Sequence, residues 1–274
     1  MSDPTRTNGN AVYLRAITED ILGWSDPRKR LQKALAGDDF LLYAQRIRPL
    51  QPELDTQGCC EVLLRLREEE DHMLPPGGFF PVAEALGMLE DIDRWVVRNA
   101  IAWCAQTAND AGAMMYSINL SCDSLCNPAF AAQVRAQIDA AGIAGSRLCF
   151  EIAETDTLAQ PQAVRHFIAA LKPLGCRFAQ DHFGSVKVSF AHIRDLPVDY
   201  LKIDGHIIQN MLKSPGDLAR ARAISLTCQR LGMRTIALSV ESREVLAKLV
   251  EIGFDYAQGF GISRPRPLDK LNPE

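Results

Sequence analysis

From Phe40 onward, short apolar runs alternate with stretches whose apolar residues recur at helical spacing. The short runs predict strands over Phe40–Ile47, Cys60–Leu66, Met114–Leu120, Leu148–Ile152, Cys176–Ala179, Leu201–Ile203 and Thr235–Val240, with a last one near Tyr256. Between them the pattern predicts helices over Arg28–Ala36, Phe79–Leu86, Asp91–Gln106, from about Asn127, and over Pro161–Leu174, Leu218–Leu231 and Glu244–Ile252. Ser25-Asp26-Pro27 supplies a cap and then a proline for the first turn of the first helix. Pro75-Pro76-Gly77-Gly78 reads as a loop. Strand candidates alternating with helices in this way imply an α/β fold closed into a (β/α) barrel rather than an open sheet. Before it, Met1–Asn10 is polar and is expected to be disordered. Ala11–Gly23 has helical spacing and predicts a short helix outside the barrel. The organisation expected is thus a tail and short helix over residues 1–25 and a barrel domain over 26–274.

Several of these strands carry a polar residue toward one end. Cys176-Arg177-Phe178-Ala179 runs into Gln180-Asp181-His182-Phe183-Gly184, apolar strand first, then charge, then a glycine turn. Glu61 follows Cys59-Cys60, Asn119 closes the run from Met114, and Glu151 closes Leu148-Cys149-Phe150. Lys202 lies within Tyr200–Asp204 and Gln258 within Asp255–Gly259. An α/β barrel presents its chemistry at the C-terminal ends of its strands. Oxygen ligands arriving there from several strands point to a hard cation with an anionic ligand above it.

Composition narrows the reading. In 274 residues, 47% of them hydrophobic, there is material for one large core of barrel size. A net charge of −4 gives no bulk attraction to nucleic acid or anionic lipid. No apolar run reaches the roughly 18 residues of a membrane span and no signal-peptide pattern opens the chain, so a cytoplasmic protein is expected. Cysteines set singly in apolar segments (Cys104, Cys149, Cys176, Cys228) read as buried, reduced thiols. Cys122-x-x-x-Cys126 has the look of half a zinc site, but no second pair with matching spacing accompanies it.

The motifs Glu61-Val62-Leu63-Leu64-Arg65, Asn119-Leu120-Ser121, Phe150-Glu151-Ile152-Ala153-Glu154-Thr155, Lys202-Ile203-Asp204 and Gln258-Gly259 resemble, in order and spacing, those of EAL domains. The resemblance runs from about Asp26 to Leu271. It implies a modified TIM barrel with an antiparallel first strand, often dimeric, and hydrolysis of cyclic di-GMP to pGpG with magnesium or manganese. It also implies that Glu61, Asn119, Glu151 and Asp181 hold the first metal and that Lys202 positions the attacking water. Arg65 would bind a phosphate, Gln45, Asp204, Glu241 and Gln258 would line the nucleotide site, and Glu154 would anchor the loop after the strand that carries Asp181.

Three departures stand beside these agreements. The family's Asp-Asp-Phe-Gly is here Asp181-His182-Phe183-Gly184, so a ligand of the second metal is a histidine. Its Ala-Glu-Gly-Val-Glu is Ala237-Leu238-Ser239-Val240-Glu241, so another acidic group is Leu238. Its Gly-Thr-Gly-Tyr loop is Gly184-Ser185-Val186-Lys187, without the second glycine. Neutral imidazole does not suit magnesium, and leucine ligates nothing. At most one magnesium or manganese site is therefore expected. The function expected is a degenerate EAL domain that binds cyclic di-GMP and signals through a protein partner. A slow phosphodiesterase and a nucleotide-free scaffold are the alternatives. Blander readings are an ion-pair network for Lys202 with Asp181 or Glu151, and a hydrogen-bonded loop residue for His182. His166, His192 and His206 read as surface or loop residues. Trp95-Val96-Val97 and Ile101-Ala102-Trp103 read as barrel packing or dimer surface.

Overall fold

The computed structural model describes residues 23–54, 58–68, 72–107, 114–185 and 193–271. The polar start and, apart from Gly23, the short helix expected before the barrel lie outside these residues, as do Val186, Lys187 and His192.

Strand β1 (Phe40–Pro49) opens the barrel, followed by β2 (Cys59–Arg67), β4 (Met115–Leu120), β5 (Leu148–Ala153), β6 (Arg177–Phe183), β7 (Tyr200–Ile203), β8 (Arg234–Ala237) and β9 (Tyr256–Ala257). From β2 through β9 each pairs with the next in parallel. The ring closes through β1, which is antiparallel both to β2, from Phe40 opposite Leu66 to Ile47 opposite Cys59, and to β9. Short β3 (Met73–Leu74) and β10 (Arg266–Pro267) extend the sheet beside β2 and β1. The antiparallel first strand has a local cause. Only a short connection separates β1 from β2, enough for a hairpin but not for the helical crossover that parallel neighbours need.

Helix α1 (Pro27–Ala36) precedes β1, and helices fill most of the remaining crossovers: α2 (Pro76–Ala85), α3 (Leu89–Gln106), α4 (Cys122–Cys126), α5 (Pro128–Ala141), α6 (Glu154–Ala159), α7 (Pro161–Leu171), α8 (Gly205–Asn210), α9 (Pro215–Leu231) and α10 (Arg243–Glu251). Helix α2 corrects the expected loop, because it already begins at Pro76. Proline at a first helical position gives up an N–H that would have no partner there. Gly78 sits within that first turn, where a Cβ would come 2.6 Å from Leu74 Cδ1. Trp95 and Trp103 lie half-buried on α3 against the barrel; Trp95 packs 5.5 Å from the Phe40 ring, and Trp103 Nε1 donates to Tyr116 Oη at 2.9 Å.

The core has two parts. The larger lies between sheet and helices. The smaller fills the bottom of the barrel with Ile47, Cys59, Met115, Cys149, Ala179 and Ile236, packed under Tyr200 and Tyr256. Each barrel strand thus contributes one floor residue. Side chains alternate across a strand, so the residue two positions further toward the mouth also points inward. Those residues are Gln45 on the reversed strand, then Glu61, Ser117, Glu151, Asp181, Lys202, Leu238 and Gln258. An apolar floor therefore carries a polar layer directly above it, and Leu238 is the apolar member of that layer.

Candidate active site at the barrel mouth

The polar layer is knitted around one ammonium. Lys202 is 1% exposed, and its Nζ donates to Glu151 Oε2 at 2.5 Å and Glu61 Oε2 at 2.9 Å, with Asp181 Oδ1 3.7 Å away. Ser117 Oγ donates to Glu151 Oε1 at 2.5 Å and Asn119 Nδ2 to Glu61 Oε1 at 2.7 Å. Gln258 Nε2 donates to Glu61 Oε2 at 2.6 Å and reaches Gln45 Oε1 at 3.1 Å, while Gln45 Nε2 donates to the Ser263 carbonyl at 2.8 Å. The pairwise contacts among Gln45, Gln258 and Glu61, and the part of Ser117, carry no signal in the sequence beyond the alternation itself. Glu61 sits near the start of its strand, as the expected span Cys60–Leu66 implies. It is the third residue of a nine-residue strand, because β2 runs past the mouth to pair with β1.

Electrostatics follow from three buried carboxylates facing one buried ammonium. Burial works against the charge of Lys202, but Asp181, Glu151 and Glu61 outweigh it and hold the ammonium well above the ordinary lysine value. Burial pushes Glu151 up, to about 8, with help from Glu61 and Asp181 and against Lys202. Glu61 is buried as well, yet Lys202 and hydrogen bonds from Gln258 and Asn119 bring it below its ordinary value.

The far side of the mouth is built differently. Pairing between β6 and β7 shifts register between Gln180 and Phe183, and within that irregularity His182 takes φ 53°. Its Nδ1 lies 3.2 Å from Asp204 Oδ2 and its Nε2 3.5 Å from Asp181 Oδ2. Asp204 also caps α8, accepting from the His206 amide at 2.9 Å. Glu154 Oε2 accepts from the Gly184 amide at 3.1 Å and Ser185 Oγ at 3.3 Å, tying the start of the loop after β6 to the exit of β5. The strand expected over Thr235–Val240 stops at Ala237. Ser239 turns to φ 56° and the Val240 amide bonds to the Gln258 carbonyl at 2.9 Å.

Between the two sides opens a cavity of about 380 Å³. Gln45, Glu61, Asp181, His182, Lys202, Leu238, Glu241 and Gln258 line it, with exposed Phe260 at its rim. Of the expected site residues, Arg65, Asn119, Glu151, Glu154 and Asp204 stand outside this lining. Arg65 lies half-buried over the Tyr43 ring at 5.4 Å, with Nη1 donating to the Leu64 carbonyl at 2.7 Å. His166 and His206 are exposed, as read from the sequence.

A profile described as the EAL domain matches residues 28–265. The chain belongs to the EAL domain family. The EAL domain is 36% identical over 239 residues to the cyclic di-GMP phosphodiesterase PdeB of Shewanella oneidensis, covering 87% of this chain and 28% of that protein. It is 32% identical over 263 residues to the cyclic di-GMP phosphodiesterase PdeF of Escherichia coli, covering 96% and 34% respectively. It thus spans about a third of the length of these curated relatives. Among solved structures, the FimX EAL domain from Pseudomonas aeruginosa bound to c-di-GMP superposes with a TM-score of 0.82 at 29% identity, over 88% of this chain and 96% of that one. No helix among the described residues is long and apolar enough to cross a membrane.

Proposed function

We propose that this EAL domain binds cyclic di-GMP in the mouth cavity, hydrolyses it slowly or not at all, and serves as a receptor that acts through a protein partner. The observation that carries this reading is Leu238, an apolar side chain in a layer that is otherwise polar and faces the cavity. Phosphodiester hydrolysis needs a hydroxide held and activated near the phosphorus. A leucine there offers no ligand and disfavours an anion beside it. His182 adds to the same deficit, since its ring is engaged with Asp204 and Asp181.

The intact side fits a divalent cation. Among the described residues no three His, Cys, Asp or Glu side chains are grouped to enclose one, because the carboxylates converge on Lys202. The donors are nonetheless all oxygen groups, and three carboxylates against one ammonium leave negative charge to spare. Gln258 Oε1 is buried with no hydrogen-bond partner among the described residues, an acceptor left for a ligand. Glu61, Asn119, Glu151 and Asp181 would hold magnesium or manganese, which when bound neutralises charge on a phosphate oxygen. Lys202 orients Glu61 and Glu151, Gln258 and Gln45 steady Glu61 from the other flank, and Arg65 supplies a guanidinium for a phosphate.

Slow hydrolysis to pGpG is the second reading. The relatives named as phosphodiesterases and the unaltered set of Glu61, Asn119, Glu151, Asp181 and Lys202 favour it. Calorimetry with cyclic di-GMP, with and without magnesium, paired with chromatography for pGpG, separates the two. Binding without appreciable turnover is expected, weakened by about 1.5–3 kcal/mol in Arg65→Ala, as for a hydrogen bond to a charged group. Brisk magnesium- or manganese-dependent turnover would overturn the receptor reading, and no binding at high micromolar ligand would leave a scaffold.

A further inference from the structure

Cys122 and Cys126 are not part of the mouth. They are the first and last residues of α4, the short helix that leaves β4, and their Sγ atoms lie 3.9 Å apart. Cys122 is partly exposed and Cys126 exposed, whereas Cys59, Cys60, Cys104, Cys149, Cys176 and Cys228 are all buried. Residues four apart on a helix share a face, which brings the two thiols together. Two zinc–thiolate bonds of about 2.3 Å at a tetrahedral angle place their sulfurs roughly 3.8 Å apart. The sulfurs therefore already stand at the bite of a tetrahedral ion, with no backbone movement required. A disulfide is a poorer fit. It needs Cβ atoms about 3.8 Å apart, against about 5–6 Å for helix positions four apart.

Two acidic side chains, Asp123 and Asp156, lie close to the pair. Burial, the neighbouring Cys126 thiol and the carboxylates of Asp156 and Asp123 all push the Cys122 thiol up, to about 11. Of these, the two carboxylates are negative charges that a cation held by the sulfurs would offset, while the raised thiol makes binding proton-coupled and stronger as pH rises. Hard magnesium does not choose sulfur, while zinc and cadmium do. No third His, Cys, Asp or Glu among the described residues completes the set, so water would fill the remaining positions. The pair thus differs from a closed structural site, which takes four protein ligands.

We propose that Cys122 and Cys126 form an exchangeable two-thiolate site for a thiophilic divalent cation of the zinc class, separate from the oxygen donors of the mouth. Binding exchanges two thiol protons for the metal and needs no oxidant. Zinc is titrated into the reduced full chain against a chromophoric chelator, with magnesium in excess to occupy the oxygen donors. Cys122→Ser and Cys126→Ser should each bind the dithiol-dependent equivalent at least about tenfold more weakly, since each removes a direct ligand. A second measurement needs no variant: zinc should protect Cys122 and Cys126, read by peptide mass, from alkylation by iodoacetamide. Unchanged zinc affinity in both serine variants, or unchanged alkylation of both thiols under zinc, would overturn the site.

Discussion

The two sides of the barrel mouth obey different rules. On one side Glu61, Asn119, Glu151 and Lys202 satisfy one another at 2.5–2.9 Å, each on a regular strand. On the other, β6 shifts register, β8 ends early, and His182 and Ser239 hold positive φ angles that non-glycine residues adopt at a cost. Charge gathers in a closed network on one side, while the other presents an imidazole and a leucine to the cavity. A barrel can carry a closed acidic network on one half of its mouth and an irregular, partly apolar lining on the other, because each strand delivers its mouth residue independently.

The largest expected effect breaks the networked side. Lys202→Met removes the ammonium from between Glu61, Glu151 and Asp181 and leaves buried carboxylates without their partner. Such a loss typically costs about 3–5 kcal/mol, and denaturant unfolding at neutral pH should show it. The sign with pH is fixed. The folded-state value of Lys202 is raised, so its stabilisation is fully present below the unfolded lysine value of about 10.4 and is lost as pH climbs through the folded one. In Lys202→Met the deficit should shrink on acidification, as the stranded carboxylates take up protons. A variant as stable as the parent would mean that the carboxylates are not held together by this lysine.

The irregular side should respond in activity instead. His182→Asp together with Leu238→Glu returns both positions to the acidic residues of the EAL motif. Turnover of cyclic di-GMP in manganese should rise by at least about tenfold over the parent, and by more than either single change gives, because a ligand set works as a unit. Equal turnover in all four proteins would place the limit elsewhere, for example in the loop after Gly184.

Much of this contrast was legible in the sequence. Alternating runs located every barrel strand, and the substitutions at His182 and Leu238 were visible by motif. The reversed direction of β1 followed only from the family resemblance. Propensity rules read Pro75–Gly78 as a loop, yet prolines are tolerated where a helix starts and Gly78 makes room for Leu74. Glu61 lies near the start of its strand in the sequence pattern and in the structure alike. The strand expected over Cys60–Leu66 already carries the chain past Glu61; the pairing with β1 is what the barrel adds. The ring of contacts among Gln45, Gln258, Glu61 and Lys202 joins residues up to 213 positions apart, and sequence spacing has no access to such closure.

The smallest effect tests backbone rather than charge. Ser239 occupies the position where the EAL motif has glycine, and it holds φ 56° beside Leu238. A left-handed conformation costs an L-residue roughly 1–2 kcal/mol that glycine does not incur. Glycine in turn gives the unfolded chain more freedom, which returns about 0.5–1 kcal/mol of that gain. The serine side chain also fills space, since a Cβ on Gly205 would meet Ser239 Oγ at 2.4 Å, so its removal leaves a small gap beside α8. The balance still favours glycine, and Ser239→Gly should raise stability by about 0.5 kcal/mol in denaturant unfolding. In the His182→Asp, Leu238→Glu background the same change should help turnover, because a relaxed turn lets the new glutamate settle toward the cavity. Destabilisation by Ser239→Gly would show that the turn is held by the serine side chain, and that the irregular side is packed rather than strained.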